Sequence, residues 1–296
     1  MRIERLHSKG ADRLELSHHE PSDVTRNDDD RPSKSLPRSP IPGSRNYLYF
    51  VLPILLLLSW YLVSTYTNLA SPVLLPTPNR VVSVAITLLE NGELLKHVAA
   101  SVQRVLIGML IATGLGVPLG MFMGISPTVE KLGDGLVTLL RPIPPLAWVP
   151  LAILWMGIGN ATVIFITSMA GFFVILLNTI TGVKGVERSL VLAAKSLGAN
   201  TGVVIAKVIF PAALPSMITG VRAALGISWM SIVAAELVAA SSGLGFMITF
   251  YRDVLRTDMV IVGMITIGAL GVLMDYLLRT LERVLVPWSA DKRRSR

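Results

Sequence analysis

Cysteine is absent from this 296-residue chain, and histidine is scarce. Without cysteine the chain can form no disulfide, no thiolate metal site and no cysteine nucleophile. Three of the four histidines lie in a polar N-terminal segment, which leaves His97 for the rest of the chain. We therefore expect no imidazole chemistry inside the apolar part of the molecule. A membrane enzyme built on a metal cluster or on a nucleophile–base pair is disfavoured.

Charge is also scarce, since charged residues make up 16% of the chain against 52% hydrophobic residues. A soluble domain of this length needs more charge, so the composition predicts a polytopic membrane protein. The net charge of +8 does not indicate a nucleic-acid partner. Residues 1–46 are nearly neutral, and the excess of Lys and Arg lies between and after the apolar segments, where it orients helices in a bilayer.

Apolar stretches dominate what is present, and a helix needs about 20 such residues to cross a bilayer. The uncharged run over 142–183 is too long for one span, and the turn at Gly157–Asn160 divides it. The prediction is an all-α integral membrane protein with six transmembrane helices. Their predicted ranges are 47–66, 105–129, Leu132 to the Gly157 turn, 161–181, 217–240 and 259–281.

The distribution of basic residues predicts the orientation of these spans. Six spans leave both termini on one side, and most Lys and Arg of the loops fall on that same side. The positive-inside rule then predicts cytoplasmic N- and C-termini in a bacterial inner membrane. Residues 1–46 are predicted to be a disordered cytoplasmic tail, 47–288 the transmembrane domain and 289–296 a basic cytoplasmic tail.

The segment 184–215 is long for a connection between two spans, which suggests a function of its own. Apolar residues recur at helical spacing over 185–197, so an amphipathic helix is predicted there. Gly198 is expected to end that helix in a left-handed conformation. Thr201 is expected to cap a second short helix, and Pro211 to stop it. We predict a projecting helix–turn–helix with its tip at 198–201.

This segment resembles the EAA loop of ABC importer permeases. That pattern is Glu-Ala-Ala, three residues, Gly, nine residues, Ile, one residue and Leu-Pro. This chain has Leu192-Ala193-Ala194, then Gly198, Val208 and Phe210-Pro211. Two alanines, the glycine and the proline match, whereas Leu192, Val208 and Phe210 replace Glu, Ile and Leu.

The resemblance extends over about 70–288 and points to one branch of the family. Stretches such as "LRPIPPLAWVPLAILWMGIG" and "SSGLGFM" are similar to permeases for taurine, aliphatic sulfonates, nitrate and bicarbonate. It implies the type I ABC importer transmembrane fold and import of a small anion. Residues that would contact an ATPase are Ala193, Ala194, Gly198, Ala199, Asn200, Thr201 and Pro211.

The resemblance also implies a set of partners. These are a second permease copy, expected to be identical, cytoplasmic ATP-binding subunits, an extracytoplasmic substrate-binding protein and membrane lipid. No nucleic acid, metal or cofactor is expected on this chain. It carries no phosphate-binding Gly-Lys-Ser/Thr loop, so ATP and Mg²⁺ would be used by the ATPase partner.

Four prolines within 140–150 mark a broken helix inside a predicted span. Such a break must be packed in protein or line a water-filled path. An anion substrate would be attracted to Arg141, but an ion pair with a carboxylate such as Glu236 would make it structural, which is the preferred interpretation. Candidate pathway-lining residues are Arg141, Pro144, Pro145, Trp148, Ser228, Ser231 and Glu236.

Three further expectations concern packing. Small residues recur every four positions over 108–124, which predicts close helix contact, more within the subunit than between copies. Arg222 is expected to reach lipid headgroups, and Asp275 to pair with Arg279 one turn on.

A secondary transporter driven by an ion gradient is the alternative function, but no second broken helix matches the proline-rich one.

Overall fold

The computed structural model describes residues 48–66, 71 and 73–285, and all regular structure among these residues is helical. The predicted all-α class is therefore confirmed. The predicted tails 1–46 and 289–296 lie outside the described residues. The α-helices are α1 (Leu48–Tyr66), α2 (Pro78–Glu90), α3 (Glu93–Ile125), α4 (Pro127–Leu140), α5 (Val149–Met156), α6 (Asn160–Lys184), α7 (Arg188–Ser196), α8 (Thr201–Val204), α9 (Phe210–Ala239), α10 (Leu244–Asp253) and α11 (Thr257–Leu285).

The number of membrane-crossing helices differs from the predicted six. Within the described part of the chain, four helices are long and apolar enough to cross a membrane. They are α3 (Glu93–Ile125), α6 (Asn160–Lys184), α8 and α9 taken together (Thr201–Ala239), and the part Thr257–Glu282 of α11. A fifth crossing exists only if the pair Pro127–Leu140 and Pro145–Met156, bent by 85°, counts as one span, and Val51–Tyr66 is a shorter apolar helix.

The bend between α4 and α5 follows from the prolines that separate them. Pro142, Pro144 and Pro145 bring no backbone N–H, so a helix cannot run through them unbroken. Pro144 is extended, and Pro145–Trp148 form a 3₁₀ turn before α5 begins. The third predicted span is therefore two short helices joined at a corner.

The core of the bundle consists of α3, α6 and α9. Val105, Ile166, Ile175 and Ile232 are fully buried in one apolar cluster that these helices share. In addition, the Ser228 hydroxyl of α9 donates to the Thr167 carbonyl of α6 over 3.0 Å. The apolar cluster joins the three helices, and the hydrogen bond adds a polar contact between α6 and α9.

The stripe of small residues on α3 packs against α6, as predicted for contact within the subunit. A Cβ added at Gly120 would lie 2.7 Å from the Thr179 Cβ and 2.9 Å from the Leu176 carbonyl. Added Cβ atoms at Gly108 and Gly124 would also meet side chains of α6 at under 3.0 Å. The backbones of α3 and α6 can approach so closely only because these positions lack side chains.

Candidate functional site

The α7–α8 corner, residues 188–204, projects from the bundle. No residue of α7 is buried, and the Leu192 and Leu197 side chains are 53% and 89% exposed. Apolar side chains of the membrane-crossing helices, such as Leu110 and Met230, are exposed to a similar degree, so what distinguishes α7 is that it has no buried residue. Ala193, Asn200 and Thr201 are exposed there too, while Ala194 and Ala199 are half-buried.

The turn at the tip has the backbone geometry expected from the sequence. Gly198 has φ +84°, and its N–H donates to the Lys195 carbonyl over 2.9 Å. The Ala199 N–H donates to the Ala194 carbonyl over 3.0 Å. A left-handed glycine with these reversed bonds ends a helix sharply, so the prediction for Gly198 is confirmed.

The cap of α8 is Asn200, which corrects the prediction of Thr201. The Asn200 side-chain oxygen accepts from the Val203 N–H over 2.9 Å, and Thr201 is the first residue of the helix. Asparagine is as good a cap as threonine or better, and only the residue at the non-helical position can serve. The prediction was wrong by one position.

Pro211 does not stop the second helix, contrary to prediction. Ile205–Ile209 form a π turn, and the Phe210 N–H bonds to the Ile205 carbonyl. Proline has no N–H and clashes with the carbonyl four residues back, so the changed register lets α9 resume with Pro211 in its first turn. Thr201–Ala239 is thus one continuous helix of 39 residues. The tip therefore continues directly into a membrane-crossing helix.

A second candidate region is the cavity beside the bend between α4 and α5. Its volume is about 380 Å³, and we call it the bend cavity. Arg141, Ile143 and Pro145 line it from the bend, Ile227 from α9, and α6 contributes Met169, Ala170, Phe173, Val174, Leu177 and Asn178. Of the other candidates at the bend, Pro144 is exposed and Trp148 packs against the main apolar cluster.

The remaining predicted pathway residues are buried inside the helix bundle. Ser228 has no exposed surface, Ser231 is 5% exposed and Glu236 is 1% exposed. The structure therefore separates the predicted set: Arg141 and Pro145 border a cavity, whereas the three α9 residues face neighbouring helices.

Glu236 belongs to a polar group that we call the polar clamp: the buried Ser101, Arg104 and Glu236, the half-buried Ser242 and the exposed Asn160. Arg104 Nη1 donates to Glu236 Oε1 over 2.6 Å, and Ser101 Oγ donates to the same carboxylate. Arg104 also donates to the Asn160 side chain and to the side chain and carbonyl of Ser242. All five N–H groups of its guanidinium are therefore used.

The polar clamp corrects two sequence expectations. Glu236 pairs with Arg104, so it is not the partner of Arg141. Arg104, which lies just before the predicted span 105–129, is 4% exposed within α3. Its position four residues before Gly108, on the stripe of small residues, was a signal that it faces inward.

The glycine-rich turn after α9 completes the clamp. The Gly245 N–H donates to Glu236 Oε2 over 3.0 Å, and the Leu244 N–H donates to Ser101 Oγ. His97 is also buried, and its Nδ1 accepts a hydrogen bond from the Gly243 N–H. Gly243 has φ +109°, and any Cβ there would overlap the Glu236 carboxylate. The turn can be made only with glycine at that position.

Comparison with known proteins identifies the family. Residues 116–287 match the model of the binding-protein-dependent transport system inner membrane component family. The taurine transport system permease protein TauC of Escherichia coli (strain K12) is 39% identical over 241 residues, covering 80% of this chain and 87% of TauC. The chain is an ABC importer permease.

Other relatives agree with the branch that the sequence pattern indicated. A putative ABC transporter permease of Methanocaldococcus jannaschii is 44% identical over 242 residues, covering 80% of this permease and 90% of that protein. The nitrate import permease protein NrtB of Leptolyngbya laminosa is 32% identical over 191 residues, covering 64% and 68%. The permease therefore belongs to the taurine, sulfonate and nitrate branch.

A solved structure shows the same fold at low sequence identity. An inward-facing structure of the MetNI methionine ABC transporter superposes with a TM-score of 0.58. It is 18% identical and covers 65% of this permease and 95% of that chain. The predicted type I importer fold is confirmed.

Near the end of α9 that carries the corner, the permease pairs its charges within the chain. Arg222 Nε donates to Asp275 over 3.0 Å, and Arg222 Nη1 donates to Glu282 over 3.5 Å. The expectation that Arg222 reaches headgroups was therefore wrong, because two α11 carboxylates bind it. The predicted pair between Asp275 and Arg279 is confirmed, at 2.7 Å.

Tyr251 on α10 is fixed to the N-terminal end of α3. Its hydroxyl donates to the Glu93 carboxylate. Burial and the neighbouring carboxylate raise the pKa of Tyr251 to about 12. The hydroxyl therefore remains a donor at physiological pH and holds α10 beside the polar clamp.

Proposed function

We propose that this permease couples a cytoplasmic ATPase to the import of a small anion. The observation that carries the proposal is the continuity of the α7–α8 corner with α9. A 39-residue helix spans roughly 58 Å at 1.5 Å per residue, which is longer than a bilayer is thick. A force applied at the tip would therefore be felt along the whole of α9.

The proposed orientation places the corner and both termini in the cytoplasm. The corner end of the bundle carries Lys184, Arg188, Lys195 and Lys207, and the positive-inside rule assigns such an end to the cytoplasm. The polar clamp and α10 then lie toward the extracytoplasmic side, where a substrate-binding protein docks.

The proposed assembly contains two permease copies, two ATP-binding subunits and one substrate-binding protein. ATP and Mg²⁺ are used by the ATP-binding subunits, and this chain binds no cofactor. The corner presents exposed leucines and alanines around a stiff turn, which suits insertion into a groove of another protein.

In the proposed mechanism the assembly alternates between two access states. Closure of the ATPases brings the two corners together, tilts α9 and opens the permease pair toward the binding protein. ATP and substrate favour different states, and this difference gives transport its direction.

We propose a small sulfonate-type anion as the substrate, with nitrate as the second choice. Support comes from the relatives, which are named as permeases for taurine, aliphatic sulfonates and nitrate. Selection among such anions is expected to lie mainly in the binding protein, which is a separate chain.

Charge at the tip tests the coupling proposal. The variants Gly198→Asp and Ala199→Asp are assembled with the ATPase and binding protein encoded beside this permease, and uptake and ATP hydrolysis are measured in proteoliposomes. We expect ATP hydrolysis without uptake, because a carboxylate disturbs an apolar contact while aspartate tolerates the left-handed backbone. Normal insertion is expected for both variants.

Gly92→Asp is the matched control for Gly198→Asp. Gly92 also has a positive φ, +74°, and open space around its Cβ, but it lies between α2 and α3. This variant bears the same backbone cost away from the corner and should keep coupled uptake. Coupled uptake in the two tip variants would contradict the proposal.

A further inference from the structure

We propose that Arg141 is the binding group for the transported anion at mid-membrane, which deepens the proposed function and rests on it. This cation is isolated from the carboxylates of the described chain. Arg141 makes no ion pair and no side-chain hydrogen bond within the described part of the chain. The two arginines inside α3 and α9, Arg104 and Arg222, both bind carboxylates.

The bend cavity lies at the middle of the membrane-crossing helices. Its α6 lining runs from Met169 to Asn178, and α6 itself runs from Asn160 to Lys184. Ile227, the lining residue from α9, is also close to the midpoint of Phe210–Ala239. Arg141 therefore faces a space far from both headgroup layers. An unpaired cation at that depth is costly unless water or an anion accompanies it.

The backbone around Arg141 makes its guanidinium the main donor at the bend. Pro142, Pro144 and Pro145 have no N–H, and the Ile143 N–H bonds to the Leu140 carbonyl. An anion in the cavity therefore meets little competing backbone. It meets instead a planar group that binds two oxygens at once, which suits sulfonate or nitrate geometry.

The rest of the lining favours an anion that carries a short apolar body. Phe173, Val174, Leu177 and Ile227 are apolar, and Asn178 supplies an amide that uses one of its two N–H groups on the Val174 carbonyl. A volume of about 380 Å³ falls within the range of small-ligand sites. A charged head on Arg141 with a short apolar body along α6 describes an organosulfonate better than an inorganic anion or a neutral solute.

The absence of cysteine makes this site directly measurable in the full-length chain. Ile227 lines the cavity and is 43% exposed overall, so Ile227→Cys places one reactive thiol there. The permease in nanodiscs is treated with sulfonatoethyl methanethiosulfonate, an anionic reagent, and with its cationic trimethylammonium analogue. The ratio of the two reaction rates reports the electrostatic preference of the bend cavity.

We expect the anionic reagent to be favoured, and Arg141→Gln to lower the rate ratio by about fivefold or more, because one charge acts oppositely on the two reagents. Arg141→Lys should keep most of the preference. Methanesulfonate should slow the anionic reagent in the Arg141 background and not in Arg141→Gln. Ser196→Cys on the exposed corner is the control, and its ratio should not respond to Arg141.

Two results would overturn the inference. The rate ratio of the two reagents could be the same with Arg141→Gln as with Arg141 in place. That result would mean that another group, such as a carboxylate of a second copy, neutralises the cation. No reaction of the Ile227→Cys thiol with either reagent would mean that lipid fills the cavity. Failure of the proposed function gives a different pattern: the ratio responds to Arg141, but no ATP-dependent uptake occurs.

Discussion

The polar clamp and the α7–α8 corner lie at opposite ends of α9 and are built in opposite ways. The clamp buries Ser101, Arg104 and Glu236 and joins α3, α6, α9 and the turn before α10. The corner buries nothing on α7 and is held by backbone bonds around Gly198. One end of α9 is therefore fixed by buried polar contacts. The other end packs on α6 through the buried Ala213 and Met217, so it is the exposed corner beyond it that is free to receive a partner. A push on the corner is expected to be passed along α9.

The largest expected effect comes from opening the clamp. Arg104→Met removes the partner of a buried carboxylate, which typically costs about 3–5 kcal/mol of folding free energy. Thermal unfolding of the purified permease in detergent measures the loss. Arg141→Met is the matched control, since Arg141 has no ion pair among the described residues and should cost little.

The double variant Arg104→Met, Glu236→Met refines that test. Removing both charges leaves no unpaired ion, so part of the lost stability should return. Equal melting temperatures of the Arg104→Met and Arg141→Met variants would mean that the clamp contributes no special stability.

A smaller effect is expected at the contact between α3 and α6. Gly120→Ala puts a methyl group against Thr179 and the Leu176 carbonyl, and overpacking of this kind costs about 1–3 kcal/mol. Gly114→Ala on the same helix meets nothing within 4 Å and should be neutral or slightly stabilising. Denaturant titration of both variants compares them. A Gly120→Ala variant as stable as Gly114→Ala would show that the two helices separate easily.

The smallest effect is expected near the corner, at the ion pair of Lys184 with Glu130. Both side chains are partly exposed, and such pairs contribute about 0–1 kcal/mol. Lys184→Ala should change the melting temperature little, and less at high salt. A fall in melting temperature as large as that of Arg104→Met would mean that ion pairs also stabilise the corner end strongly.

Local features of this permease were predictable from sequence, and pairings between distant residues were not. Gly198 ends α7, and Gly157 and Gly159 separate α5 from α6, because glycine adopts positive φ angles without a steric cost. The interaction of Arg104 with Glu236 joins residues 132 positions apart, and a single sequence contains no signal for such a pair.

Two of the wrong predictions have specific physical reasons. Pro211 lies inside a continuous helix because the π turn before it changes the hydrogen-bond register, which proline patterns alone do not indicate. Arg222 appeared free to reach lipid because its partners, Asp275 and Glu282, are on another helix. Both cases depend on tertiary structure that overrides the local rule.

Site-specific cross-linking tests the coupling account most directly. Asn200→Cys at the tip and Ser241→Cys at the clamp end each place one exposed thiol in a chain that has no other. Each variant is purified with the ATPase encoded beside it and treated with a short bifunctional thiol–amine cross-linker. We expect the ATPase to link to the Asn200→Cys variant and not to Ser241→Cys. Linkage at Ser241→Cys alone, or at neither position in a complex that hydrolyses ATP, would contradict the account.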